Sequence, residues 1–268
     1  MIPKTIHYVW FSDEIPLETQ NYIDSWKKTM PDYEITRWNA NNFDVYKHKW
    51  VEQAVKYKKW AFATDFMRLW IVYKYGGIYL DADVEAVKSF DALLDLPYFL
   101  GIEQSIDLPD IPEMSTFGAE PKTVWLKDCM DYYENRDFAD KNGNLDMTVL
   151  PQICRKIFKE KYGVLKISDI KSFDRERSEI QLFASDYFCP KSYADKLVIT
   201  HNTYSIHHFA SSWRPAKEKQ KIQIIIRYKS KFVKFKLWKL FLSIMHPIIS
   251  LELFLEKRKQ KANNRTRD

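Results

Sequence analysis

Asp81 and Asp83 close the segment Tyr75–Asp83, YGGIYLDAD, in which an apolar run follows two glycines and ends on carboxylates spaced i, i+2. Side chains at that spacing lie on one face of an extended chain. Two carboxylates pointing together repel unless a positive charge sits between them. A hard divalent cation carrying a diphosphate answers that need, because Mg²⁺ and Mn²⁺ favour oxygen ligands. A bare Asp-x-Asp is also an ordinary solvated loop after an edge strand; the preceding helix-Gly-Gly-strand context sets this one apart. Upstream, Asp65 and Arg68 stand i, i+3 and share a helix face. That spacing fits a surface ion pair as well as a site. Trp10 closes the first apolar run, where a core aromatic is the plain alternative. In His207–Trp213, HHFASSW, His208 is a candidate third metal ligand, and the Trp213 indole N–H can donate to a phosphate.

The elements that must hold these residues are legible as an alternation. Ile6–Phe11 (IHYVWF) reads as a buried strand, Leu17–Thr29 as a helix halted by Pro31, and Tyr33–Trp38 as a second strand. Trp60–Tyr75 is the clearest helix, with Gly76-Gly77 as its stop. Ile78–Leu80 then leads into the aspartates. Tyr98–Ile102 and part of Leu197–His208 read as strands, Thr123–Glu134 and Pro151–Phe158 as helices. Such alternation predicts an α/β nucleotide-binding arrangement.

Four segments occur in order: IPKTIHYVWF at the start, FATDFMRLWIVYKYGGIYLDAD, FGAEPKTVWL and IHHFASSW. Together they resemble the DXD-containing sugar transferases of glycosyltransferase family 32. That group includes bacterial capsule-type transferases and yeast mannosyltransferases, and the glucosylating domains of clostridial toxins share its core pattern. The resemblance spans residues 1–213. It implies a GT-A-type (Rossmann-like) nucleotide-sugar-binding fold, and a catalytic group of Asp65, Arg68, Asp81 and Asp83. It implies a nucleotide-sugar site of Val9, Trp10, Asp65, Arg68, Tyr79, Asp81 and Trp213, with Trp10 stacking on the base and Trp213 contacting the diphosphate. Asp83, His208 and Ser211 are the implied metal ligands, with Mn²⁺ or Mg²⁺ as cofactor. Met147–Pro151 stands where the family has its acceptor-side segment. The implied reaction is hexose transfer from a nucleotide sugar, UDP-linked in the favoured case, with retention, to a glycan or lipid-linked saccharide in cell-surface polysaccharide synthesis such as capsule or lipopolysaccharide. A protein acceptor, or a catalytically dead binding module, are the competing expectations.

Composition bounds the rest. A hydrophobic content of 46% and an aromatic content of 16% suit a packed core and exclude wholesale disorder. Only six glycines occur, which argues against a Gly-rich all-β protein. Cys129, Cys154 and Cys189 form no CxxC pair, so a zinc site is not expected, and their sparse, odd number suits a reducing compartment. Met1–Lys4 lead straight into a strand without a signal-peptide pattern, and no stretch of 18 apolar residues suggests a membrane span. The net charge of +6 conceals two parts: residues 214–268 hold 16 Lys+Arg against 4 Asp+Glu, a net of +12, whereas residues 1–213 hold a net of −6. Tyr228, Phe232, Phe235, Trp238, Leu242 and Met245 recur at helical spacing among Arg227, Lys231 and Lys234. This predicts a C-terminal basic amphipathic helix that meets an anionic membrane surface. The expected organisation is a catalytic domain over 1–213 and a membrane-associating tail over 214–268, peripheral at the cytoplasmic face. Nucleic acid is not an expected partner, because the positive field is confined to the tail.

Overall fold

The apolar run after Pro3 forms strand β1 (Thr5–Val9), four of its five residues buried. Helix α1 (Leu17–Thr29) buries Ile23 and Trp26 on one face and ends with Lys27 and Lys28 against the negative end of its dipole. Strand β2 (Glu34–Trp38) and helix α2 (Lys49–Lys56) lead to α3 (Trp60–Tyr75), where ten of 16 residues are buried, Asp65 and Arg68 among them. Gly76, at φ +68°, ends that helix. Then come β3 (Gly77–Leu80), β4 (Val84–Ala86), β5 (Tyr98–Ile102), β6 (Pro112–Ala119), α4 (Val124–Asp131), α5 (Leu150–Lys161), β7 (Val164–Ile167), β8 (Ile180–Phe183) and β9 (Ser205–His207). This computed structural model describes residues 1–103, 110–134, 136–191 and 197–210. Met1–Phe209 is one compact unit, and a second begins at Ala210. Ser211, Trp213 and the expected tail helix lie outside the described residues. No helix among the described residues is long and apolar enough to cross a membrane.

Seven strands make one sheet in the order β2-β1-β3-β6-β5-β8-β7, and β4 and β9 form a separate antiparallel pair. The first three strands are parallel, β6 enters antiparallel between β3 and β5, and β8 runs parallel to both β5 and β7. One core lies under α2–α5; the other gathers α1, β4 and the segment around Phe90. The α/β, Rossmann-like expectation is met. Strands β4, β6, β7 and β8 are not legible as strands in the sequence, the late strand shrinks to Ser205–His207, and the helix expected over Thr123–Glu134 closes at Asp131.

The parallel triplet is stapled from within by His7, which is buried. Trp38 Nε1 donates to His7 Nδ1 at 3.2 Å, so Nε2 carries the proton and donates to Gly76 O at 3.0 Å. Burial pushes the His7 pKa down to about 4, and the ring is neutral at physiological pH. One imidazole thus joins β1, β2 and the end of α3. Next to it, Gly77 has φ +93°, and a Cβ there would lie 2.7 Å from Thr5 O. That oxygen is backbone and cannot turn aside. Gly77→Ala is therefore expected to lose about 1–3 kcal/mol of stability, seen in urea unfolding as a lower midpoint at unchanged slope. An unshifted midpoint would mean that β1 and β3 can separate freely.

Candidate active site

Parallel strands β1 and β3 carry the site at their carboxyl ends, where ligands of open α/β sheets bind. The register His7↔Tyr79 brings Val9 and Asp81 out of the sheet side by side. Val9 itself is 7% exposed and belongs to the core, so its side chain is not at the rim. Trp10 is half-buried and pinned on three sides. Its N–H meets Trp38 O at 2.9 Å, its carbonyl accepts from Arg37 Nε at 3.2 Å, and its indole donates to Glu14 O at 2.9 Å.

Beyond Leu80 the chain turns sharply. Asp81 N donates to Ser115 O at 2.8 Å, and Val84 N donates back to Asp81 O at 3.0 Å. The two aspartates therefore converge through a tight turn and not along an extended strand, a correction to the i, i+2 reading. Helix α1 fixes the far side of this turn, with Trp26 Nε1 donating to Val84 O at 2.7 Å and Ser25 Oγ accepting from Ala86 N at 2.9 Å. Asp81 is held by both oxygens: Arg68 Nη1 donates to Oδ2 and the Tyr79 hydroxyl to Oδ1, each at 2.9 Å.

Arg68 is buried and reaches three elements. Besides Asp81 it donates to Met114 O at 2.8 Å, lies 3.5 Å from Asp65, and sits 4.7 Å over the Tyr79 ring. Burial opposes its charge, but Asp81, Tyr79 and Asp65 outweigh that and keep it cationic. The pair with Asp65 is thus a buried one, which excludes the surface alternative. Asp65 also accepts from Leu150 N at 3.3 Å, at the amino end of α5, whose dipole favours a carboxylate there. Burial raises its pKa to about 6, against the pull of Arg68. Asp81 is also raised by burial, partly offset by Arg68. Tyr79, expected beside a nucleotide, is fully buried; it is a strut under Asp81 and not a rim residue.

At the other wall stands β9, paired with β4 so that His207 faces Val84 across the ladder. His207 Nε2 lies 3.6 Å from Asp83 Oδ1, and its Nδ1 lies 3.3 Å from Glu113 Oε1. Burial lowers the basicity of the ring, but Glu113 and Asp83 together raise it well above the usual range. His208, the expected ligand, goes elsewhere. Its Nε2 meets Glu85 Oε2 at 2.9 Å, and its ring stacks on Tyr22 at 4.5 Å between centroids. Successive strand residues point to opposite faces, so only one of the two histidines can face the aspartates, and it is His207. The backbone of His208 still contributes, donating to Asp83 O at 3.0 Å.

Ligand atoms of Asp81, Asp83 and His207 lie within 4.8 Å of one another. Two carboxylates and an imidazole form a donor set suited to Mn²⁺ and tolerable to Mg²⁺. The fit is supported by charge: three carboxylates, from Asp81, Asp83 and Glu113, surround the ring of His207. Sequence reasoning missed Glu113 and His207. The first sits in a strand that was not recognised, and the second is distinguishable from its neighbour only by strand phase.

Residues 16–100 match the model of a glycosyltransferase sugar-binding region containing a DXD motif. Inositol phosphoceramide mannosyltransferase 3 of Schizosaccharomyces pombe is 37% identical over 100 residues, 36% of this chain and 28% of that one. The match therefore spans less than a third of that relative. An uncharacterized glycosyltransferase of Acanthamoeba polyphaga mimivirus is 26% identical over 227 residues, 80% of this chain and 85% of its own. Among solved structures, the PaToxG glycosyltransferase is similar with a TM-score of 0.44 and 16% identity, covering 60% of this chain and 70% of that one. A glycosyltransferase involved in the glycosylation of the major capsid of PBCV-1 reaches 0.45 at 12% identity, covering 77% and 94%.

The raised pKa of Asp65 has a stability consequence. The folded protein binds this proton up to about pH 6, whereas an unfolded aspartate releases it near pH 3.9. Between those values the folded state holds more protons, so its stability falls as pH rises through the window. Asp65→Asn is expected to remove a decline on the order of 3 kcal/mol, read from urea midpoints between pH 4 and 7. A decline of unchanged steepness in the variant would show that Asp65 is not the group responsible.

Proposed function

We propose that the chain is a glycosyltransferase of the family-32 kind, which moves a hexose from a nucleotide sugar to a saccharide acceptor with the help of a divalent cation. The observation that carries this reading is the buried Arg68–Asp81–Tyr79 cluster at the carboxyl ends of β1 and β3, with Asp83 and His207 beside it. Asp83 and His207 would hold Mn²⁺ or Mg²⁺, with Asp81 adjoining; a bound cation neutralises charge that builds on a departing diphosphate.

The residues of the chain divide the remaining work. Arg68 is committed to Asp65, Asp81 and Met114 O, so it acts by fixing Asp81 and Asp65 in place. Asp81, immobilised at both oxygens, is an acceptor for donor hydroxyls that need not reorganise on binding. Asp65 offers a second carboxylate next to the amino end of α5, where the Met147–Pro151 segment borders the acceptor side. Trp10 supplies an aromatic face at the end of β1 for a base. Following the family pattern, Trp213 would donate an indole hydrogen bond to the diphosphate and Ser211 would serve as a further metal ligand. Transfer with retention is part of the same reading.

We assign the donor to the UDP-sugars and the acceptor to a lipid-linked saccharide or glycan of the cell surface. The name of the S. pombe relative gives it an inositol phosphoceramide acceptor, and that supports a lipid-linked class here. The basic tail, at a net +12, supports peripheral attachment to an anionic leaflet on the cytoplasmic side, where such an acceptor diffuses in the same plane.

Asp83→Ala is expected to abolish Mn²⁺-stimulated donor hydrolysis across a panel of UDP- and GDP-sugars while the circular dichroism spectrum stays unchanged. Wild-type turnover that persists in excess EDTA would sink the cation. For the tail, the full-length chain is expected to sediment with anionic vesicles at low salt and to be released as salt screens the charges; failure to sediment would remove the membrane from the reading.

A further inference from the structure

Glu113 takes no part in the roles assigned above, yet it is 1% exposed and lies directly behind the candidate cation site. Its place is set by an irregularity in β6. The register with β5 runs Phe99↔Gly118 and Leu100↔Phe117, then jumps to Gly101↔Glu113. Three residues, Met114, Ser115 and Thr116, are thereby left out of the β5 ladder while β6 continues along β3, with Leu80 opposite Thr116. Bulges of this kind re-aim side chains and recur next to active sites. Here the displaced stretch offers Met114 O to Arg68 and Ser115 O to Asp81 N. It also ties down Glu113, whose Oε1 accepts from Ser115 N at 2.8 Å. That same oxygen faces His207 Nδ1 at 3.3 Å. The other oxygen, Oε2, is buried without a hydrogen-bond partner, and so is His207 Nδ1, which meets Oε1 as an ion pair. Packing alone does not account for a carboxylate here, since an apolar side chain would fill the place without stranding an oxygen.

We propose that Glu113 is a positioning residue that holds the His207 ring by Nδ1 so that Nε2 is presented towards Asp83 and a divalent cation. Histidines that ligate metals regularly donate their second ring N–H to a carboxylate, which fixes the tautomer and the ring plane. In this chain the requirement is acute, because His207 is the last residue of β9 and Phe209 already has a left-handed backbone at φ +54°. The ladder with β4 fixes the main chain of His207 but not the rotation of its ring. The inference rests on the reading of Asp83 and His207 as cation ligands. Glu113 and Cys189 also lie with His207 within 4.8 Å of one another, so a separate cation on Glu113, Cys189 and His207 is an outcome that the test must distinguish.

The test titrates the full chain with Mn²⁺ and, in a separate series, with Zn²⁺, affinity being read by isothermal titration calorimetry and folding by circular dichroism. Glu113→Ala is expected to weaken Mn²⁺ binding by about 10–100-fold, and Glu113→Gln, which keeps an acceptor, by clearly less. In a His207→Ala background, Glu113→Ala should add nothing, because its effect passes through the ring; a merely structural role would weaken both backgrounds equally. Should Glu113→Ala fail to fold, Glu113→Gln is compared in the two backgrounds instead, with the same loss expected only where His207 is present. Unchanged affinity in the variants beside a binding wild type overturns the positioning role and leaves the cation reading intact. A wild type that binds no Mn²⁺ overturns both. Stoichiometric Zn²⁺ that survives Asp83→Ala but is lost in Glu113→Ala assigns these residues to a site of their own and also overturns the proposal.

Discussion

A single guanidinium, that of Arg68, holds the architecture around the aspartates together. It is buried on α3 and touches Asp65 on its own helix, Asp81 after β3 and the carbonyl of Met114 in β6. Burying a charge is costly unless partners and hydrogen bonds repay the lost hydration. Here each partner needs Arg68 as much as it needs them. Without the cation, Asp65 and Asp81 would face each other across a dry space, and the open carbonyl in the β6 bulge would lack a donor. Replacing one partner of such a group leaves the others uncompensated, which is why buried ion clusters fail abruptly and not by degrees. Helix, sheet and turn are therefore tied at one point, and that point is where the candidate chemistry lies.

The electrostatic design around it is lopsided. Arg68 satisfies the inner carboxylates, Asp65 and Asp81, whereas the outer ones, Asp83 and Glu113, gather around His207. In the absence of a cation the ring of His207 takes up that excess, consistent with the raised basicity that Glu113 and Asp83 impose on it. On the proposed reading a cation held by Asp83 and His207 would compete with a proton for Nε2. On the proposed reading the two groups serve different ends: the inner one sets positions, and the outer one would set the affinity for a cation.

Much of this was readable from residue order. Helices over Leu17–Thr29 and Trp60–Tyr75 and the strand over Tyr98–Ile102 appear with their expected bounds, because each has unambiguous periodicity or flanking breakers. Strand β6 was hidden because its first half, Pro112–Thr116, mixes proline, a carboxylate and two hydroxyls with no alternation. Pro112, Glu113 and Thr116 keep their places in the ladders, while Met114 and Ser115 turn their carbonyls to the site. The two aspartates were found at once, but their convergence through a turn was not, since spacing alone does not tell a turn from a strand. Asp65 and Arg68 looked equally suited to a surface; only burial by α4, α5 and β6, remote in sequence, decides otherwise. The choice between His207 and His208 depends on the phase of a three-residue strand, a single-residue distinction to which hydrophobic pattern is blind.

The reversal of β6 within an otherwise parallel run has a consequence for the making of the protein. The walls of the site come from residues 65–68, 79–83, 113–116 and 205–208, so their contacts join points far apart along the chain. Such distant pairings form slowly, since loops must close before they are rewarded. A nascent chain exposes Asp81 and Asp83 long before Ser205–His207 leave the ribosome. Until then β4 has no partner strand and Asp83 has no imidazole beside it, whereas Asp81 already has Arg68 within reach. The aspartates are thus made long before the strand that sets His207 against them.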